Sequence, residues 1–132
     1  MSVKDPKVLA DSYQLTVMVF GRTRSFPKHY RPTLGRRLED RAIDLTRAIR
    51  VASLSKAGGG KDSRRAACLQ SASELLDEMR ILLQLAHDMQ IIPTTGYAEL
   101  SELTAEVGRQ IGGFTKFEAM DSGNSPGSGR GV

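Results

Sequence analysis

The chain has 132 residues, of which 39% are hydrophobic, 26% charged and only 5% aromatic. That length suits one domain and excludes a two-domain enzyme with a cleft between its halves, and the hydrophobic content excludes a wholly disordered chain. The net charge of +4 hides an asymmetry: residues 1–66 carry 15 Lys/Arg against 6 Asp/Glu, and residues 67–132 carry 4 against 9.

The apolar residues are mostly Leu, Ala, Ile, Val and Met, a composition that favours packed helices. A first helix is expected from about Lys7 to Ser25, with Asp5 as cap and Pro6 at the first helical position. Leu9, Ser12, Leu15 or Thr16, Val19 and Phe20 recur there at helical spacing, although Leu15 to Phe20 is also rich in strand formers. Residues 26–33 hold Pro27 and Pro32 among cations and read as a connector that no continuous helix can cross. Thr33 then caps a second helix, about Leu34 to Ser55, whose apolar stripe is Leu34, Leu38, Ala42, Leu45, Ile49 and Ala52.

Gly58, Gly59 and Gly60 make the clearest break. A third helix follows from about Asp62 to Gln90, capped by Asp62 or Ser63, with Leu69, Ala72, Leu76, Met79, Leu83 and Ala86 on one side and Pro93 ending it. Ile81 and Leu85 fall outside that stripe, and a second apolar face on a bundle helix points to subunit contact. Thr94 or Thr95 caps a fourth helix, about Gly96 to Lys116, which buries Leu100, Leu103, Val107, Ile111 and Phe114. Phe26-Pro27 and the helix-weakening pair Gly112-Gly113 are further features awkward for a lone monomer. Residues 1–120 therefore read as an all-α, up-down-up-down antiparallel four-helix bundle. Residues 121–132, rich in Gly and Ser, read as a disordered tail.

Enzymatic constellations fail on inspection. His29 and His87 have no second His or Cys at metal-ligand spacing, and no Glu-x-x-His pattern supports a di-iron bundle. Cys68 stands alone beside Ala66, Ala67 and Leu69 and reads as a small buried residue, with no disulfide or cysteine metal cluster possible within the chain. Gly58-Gly59-Gly60-Lys61 lacks the following Ser/Thr, the leading glycine and the preceding strand of a phosphate-binding loop. Neither metal nor cofactor is expected. With no apolar run near the roughly 18 residues of a membrane span and no apolar signal core, a cytoplasmic location is expected.

The positive signal is arginine. At 100° per residue, Arg47 and Arg50 lie within about 40° of Arg36, opposite the apolar stripe of the second helix, while Arg37 and Arg41 lie at its edge. Lys28 and Arg31 precede this ridge and Arg64 and Arg65 follow the glycine break. Planar guanidinium forks suit phosphate oxygens, and the scarcity of nearby aromatics argues for backbone contact over base stacking. From charge alone, a solvated face paired locally with Glu39, Asp40 and Asp44 accounts for the same residues equally well.

Two runs carry a family resemblance. Phe26-Pro27-Lys28-His29-Tyr30-Arg31-Pro32-Thr33-Leu34-Gly35-Arg36-Arg37-Leu38 resembles the signature of the accessory variability determinant (Avd) proteins of diversity-generating retroelements, within a wider family that includes ribosomal intervening-sequence four-helix proteins. So do Leu82-Leu83-Gln84-Leu85-Ala86-His87-Asp88-Met89 and the later Tyr97, Leu100, Glu106-Val107-Gly108-Arg109 and Gly112-Gly113-Phe114-Thr115-Lys116, with Phe114 where the family pattern has Trp. The resemblance implies a non-enzymatic, basic four-helix bundle assembled as a pentameric barrel. It implies binding to a reverse transcriptase and to nucleic acid (template RNA and cDNA). The contact residues expected on this reading are Lys28, Arg31, Arg36, Arg37, Arg41, Arg47, Arg50, Arg64 and Arg65. The competing expectation is an interaction protein that binds only protein and uses its arginines in subunit contacts.

Overall fold

The computed structural model describes residues 6–56, 59–60 and 62–123, the last four by their backbone. Among them every regular element is helical: α1 (Lys7–Thr23), α2 (Arg36–Leu54), α3 (Arg64–Asp88) and α4 (Thr94–Gly123). The partner pairs run in opposite order along each neighbouring couple, which makes each couple antiparallel. Thr16 and Thr23 of α1 meet Thr46 and Glu39 of α2, and Gln84 and Arg80 of α3 lie against Tyr97 and Gly108 of α4. Asp11 and Arg22 of α1 meet Gln110 and Glu99 of α4. The four helices thus form an up-down-up-down bundle.

Periodicity explains which side each helix buries. Leu38, Ala42, Leu45, Ile49 and Ala52 are the buried residues of α2, and Leu69, Ala72, Leu76, Met79, Leu83 and Ala86 those of α3, the stripes expected from three- and four-residue steps. In α4 Leu100, Val107 and Ile111 are buried with Thr104, whose hydroxyl donates to the Leu100 carbonyl, while Leu103 and Phe114 pack half-buried. Phe20 departs from expectation. It is 41% exposed, and Val8 and Thr23 are buried in α1 instead. Along the α1–α2 contact, Thr16 donates to the Ala42 carbonyl (3.1 Å) and Thr46 to the Ser12 carbonyl (3.0 Å), so short hydroxyl side chains draw the two backbones together.

The helix ends correct several expectations. Asp5 lies outside the described residues, and Pro6 is the N-cap of α1 rather than its first helical residue. The proline-bounded connector is a 3₁₀ turn (Lys28–Tyr30) running through one π turn (Arg31–Gly35) straight into α2. Pro32 is accommodated because the first turn of a helix leaves its backbone N–H groups without intrahelical partners. Thr33 therefore caps nothing; it sits inside the π turn with its hydroxyl toward the Tyr30 carbonyl. Phe26 is 2% exposed in the core, so it awaits no partner. Ser63 is the cap of α3, accepting from the Ala66 amide at 3.0 Å.

Pro93 does not end α3. The helix closes at Met89 with Gln90 left-handed at φ 63°, the Gln90 amide on the His87 carbonyl and the Ile91 amide on the Ala86 carbonyl, the double bond pattern of a Schellman motif. The motif turns Ile92 into the core. Pro93 instead precedes α4, and Thr94 and Thr95 lie within its first turn rather than capping it. The backbone of α4 runs on to Gly123, past the break expected at residue 121, and residues 124–132 lie outside the described region. Because an L-residue at φ 63° is strained and Gln90 is exposed, Gln90→Gly should raise stability by about 0.5–1 kcal/mol, read as a higher urea midpoint.

The α1–α4 contact carries a polar cluster. Lys7 reaches Asp11 (2.7 Å) and Glu106 (3.5 Å), and the Gln110 amide donates to both carboxylates. Burial works to raise the Asp11 carboxyl, but hydrogen bonds from Lys7 and Gln110 outweigh it and hold the group below its ordinary 3.8. The Arg109 hydrogen bond does most to hold Glu106 below 4.5, against some desolvation. Lowered carboxylates stabilise the fold above their unfolded values and lose that contribution as pH falls through the folded ones. The start of α1 should therefore loosen from α4 below the 3.8–4.5 range, and Gln110→Leu should move the onset to higher pH. Following side-chain chemical shifts of Asp11 and Glu106 through an acid titration checks both.

Candidate nucleic-acid and partner interface

Because α2 buries one stripe, its register turns Arg36, Arg47 and Arg50 outward together with Ile43 and Leu54. The nine cations singled out in the sequence are not equivalent once folded. Arg37 and Arg41 converge on Glu78 of α3, at 2.8 and 3.4 Å, and Arg41 also holds Asp44 at 2.7 Å. One carboxylate thus bridges two guanidiniums across the α2–α3 contact. Arg36 faces Asp40 one turn away at 3.5 Å with its side chain 71% exposed, a pairing that costs little to break.

Arg31 spends its Nε on the Phe26 carbonyl (3.0 Å), fastening the connector. Arg65 turns inward. Its Nε donates to the Ala52 carbonyl at the end of α2 (3.0 Å), its guanidinium lies 4.5 Å from the centre of the Phe114 ring, and its Nη1 is 3.8 Å from the Glu118 carboxylate. Lys28, Arg47 and Arg64 are exposed and make no ion pair among the described residues. Arg47 and Arg64 line a groove of about 550 Å³ between α2 and α3, with Asp44, Val51, Ser71 and Glu74. Cys68, half-buried rather than buried, lies in the same groove.

The glycine break carries a finding that spacing did not reveal. Ala57, Gly58 and Lys61 lie outside the described residues, but Gly59 donates its amide to Glu118 of α4 at 3.0 Å, and the Ser63 hydroxyl reaches the same oxygen at 3.1 Å. Where a phosphate-binding loop would cradle a foreign anion, this loop holds a carboxylate of its own chain. A Cβ at Gly59 would lie 2.5 Å from the Ser63 Cβ, so the close approach requires glycine.

Sequence reading also missed the exposed apolar side chains of α1. Tyr13, Val17 and Phe20 are 41–47% exposed, and Ile43 of α2 lies beyond the Thr16–Thr46 contact on the same side. Their signal was present: α1 carries apolar residues on more than one face, and the run from Leu15 to Phe20 is apolar beyond what one stripe needs. On α3, Ile81, Leu85 and Met89 are exposed as the second apolar face anticipated, beside Tyr30 and Arg37 at a groove of about 620 Å³. Gly112 and Gly113 have open space where a Cβ would stand. His87 stacks on Tyr97 with ring centroids 4.3 Å apart, and His29 leans on Tyr30.

Among the described residues, no three His, Cys, Asp or Glu side chains gather as a metal site would require, and no helix is long and apolar enough to cross a membrane. Fold and surface define a basic four-helix bundle whose distinguishing features are an outward arginine ridge and unpartnered apolar faces. The bAvd-like family model matches residues 7–118, and the chain belongs to that family. No curated protein and no solved structure matches it.

Proposed function

We propose that this chain is the accessory protein of a diversity-generating retroelement, a non-catalytic subunit that binds the reverse transcriptase and holds template RNA and cDNA beside it. Membership of the bAvd-like family supports the accessory role. One structural observation supports the nucleic-acid part: Lys28, Arg36, Arg47 and Arg64 present cations to solvent that intramolecular pairing leaves largely free. Such a surface takes phosphate by counterion release, with little sequence preference. The working form is a cytoplasmic ring-shaped homo-oligomer, a pentamer by family resemblance, so that each cation is presented several times over. Electrophoretic shift of labelled RNA across a salt series tests the nucleic-acid part, and co-purification with the reverse transcriptase tests the partner. Binding that is absent at low salt, or indifferent to salt, overturns the nucleic-acid reading.

A second reading, an interaction protein that uses its arginines only against protein, is favoured by the apolar side chains of α1 beside the arginine ridge. An oligomer that retains the transcriptase but never shifts RNA or DNA would establish it.

A further inference from the structure

The stripe that α4 buries changes character after Ile111. Leu100, Thr104, Val107 and Ile111 lie in the core, and the next positions of the same stripe are Phe114, half-buried, and Glu118, a carboxylate 1% exposed. Every other residue from Gly112 to Ala119 is exposed. Two clefts of about 340 and 350 Å³, both bordered by Gln70 and Thr115, lie between this end of α4 and α3. Gly112 and Gly113 stand where the change begins, and a Cβ at either would meet nothing within 4 Å. Packing within the chain therefore does not require glycine there. Each glycine weakens the helix, and glycine is among the places where helices bend sharply.

The hold on this end of α4 is mainly polar. Glu118 accepts from the Gly59 amide (3.0 Å) and the Ser63 hydroxyl (3.1 Å), with the Arg65 guanidinium at 3.8 Å. A buried ionic contact stabilises little more than an apolar residue of similar volume, but its anion can be exchanged for another. An amide, a hydroxyl and a guanidinium are also donors that suit phosphate oxygens. Gly59 and Ser63 line a groove of about 520 Å³ with the exposed cations Lys56 and Arg64, and Arg64 also lines the groove of Arg47. The chain's own anion thus sits at the margin of its cationic surface.

We infer that residues 114–119 are a strap, hinged at Gly112–Gly113 and latched by Glu118, which a nucleic-acid phosphate releases by taking the carboxylate's place on Arg65, Gly59 and Ser63. This rests on the nucleic-acid reading above and adds an autoinhibitory contact to it. With the strap closed, Arg65 is spent on its own chain. With the strap open, each chain offers one more guanidinium beside Lys56 and Arg64. Phosphate reaches Arg65 only in the open form, so the affinity gained there scales with the open fraction.

The test is amide hydrogen exchange of the full chain at low salt, free and saturated with a single-stranded RNA oligonucleotide. RNA should speed exchange in residues 114–119 by about tenfold or more, while α2 and α3 exchange no faster than before. Gly112→Ala/Gly113→Ala adds methyl groups in open space, so the bundle should keep its fold. It should slow strap exchange by about fivefold per glycine, with RNA affinity falling in step. Glu118→Gln weakens the latch and should move both readouts the other way. Glu102→Gln, at an exposed carboxylate of the same helix, controls for net charge. If Glu118→Gln loses helix by circular dichroism, the wild type and the alanine variant carry the test alone. Strap exchange that bound RNA leaves unchanged or slows overturns the latch while leaving the nucleic-acid reading standing. So does wild-type affinity in the alanine variant, or a gain from Glu118→Gln no larger than from Glu102→Gln. A wild type that binds no RNA at low salt overturns both.

Discussion

Replacing Arg65 by alanine should cost about 3–5 kcal/mol of stability, the largest loss expected from any single cation among the described residues. The side chain is only 11% exposed and the carboxylate it faces, Glu118, only 1%. Arg65 gives the Ala52 carbonyl at the end of α2 a second donor beside the Ser55 amide, and it covers the Phe114 ring, a contact of about 1–2 kcal/mol when shielded from water. Its removal leaves Glu118 with the Gly59 amide and the Ser63 hydroxyl but without the guanidinium. Glu118→Ala should cost a similar amount by stranding Arg65. Glu118→Gln should cost less, because an amide oxygen can still accept from Gly59. Since the residues share one network, the double substitution Arg65→Ala/Glu118→Ala should fall well short of the sum of the singles. Urea unfolding followed by circular dichroism reads all four, and additive losses would show that the two side chains act separately.

Reversing Lys28, Arg47 and Arg64 to glutamate together should abolish RNA binding at physiological salt. Each exposed cation in contact with phosphate contributes about 0.7–0.9 to the slope of log affinity against log salt, and reversal adds repulsion to the lost contact. The expected result is an affinity loss of about a hundredfold or more per chain, multiplied by avidity in an oligomer. Arg37→Ala is the informative contrast. Its guanidinium is spent on Glu78 at 2.8 Å, so its removal frees a carboxylate and should perturb the α2–α3 contact more than the salt slope. Wild-type binding by the triple variant would remove these residues from the interface.

The faces of the helices were legible in the sequence, and their ends were not. Core residues on α2 and α3 repeat at three and four because a straight helix shows the same side to its neighbours for its whole length, so Leu38 to Ala52 and Leu69 to Ala86 could be read by spacing alone. The ends depend on contacts that spacing does not encode. Thr33 has the chemistry of a cap, but the chain arrives already coiled from the 3₁₀ turn. Gln90 lacks the glycine that usually marks a left-handed stop, and only its backbone bonds to His87 and Ala86 reveal one. For the candidate interface, the outward ridge followed from the same periodicity. Which arginines are occupied did not, because Glu78, Glu118 and Ala52 are brought to them by packing of separate helices.

The Glu118 carboxylate also bears on the order in which the protein can be completed. Its partners Gly59 and Ser63 lie 59 and 55 residues earlier in the chain. Until the far part of α4 has been synthesised and docked, the turn between α2 and α3 has no acceptor for these donors from that helix. A nascent chain can therefore pair its middle helices first, but the lock on their connection arrives only with the end of the last helix. A product truncated before residue 118 would lack the carboxylate that takes up the Gly59 amide and the Ser63 hydroxyl, so those two donors would be left to water.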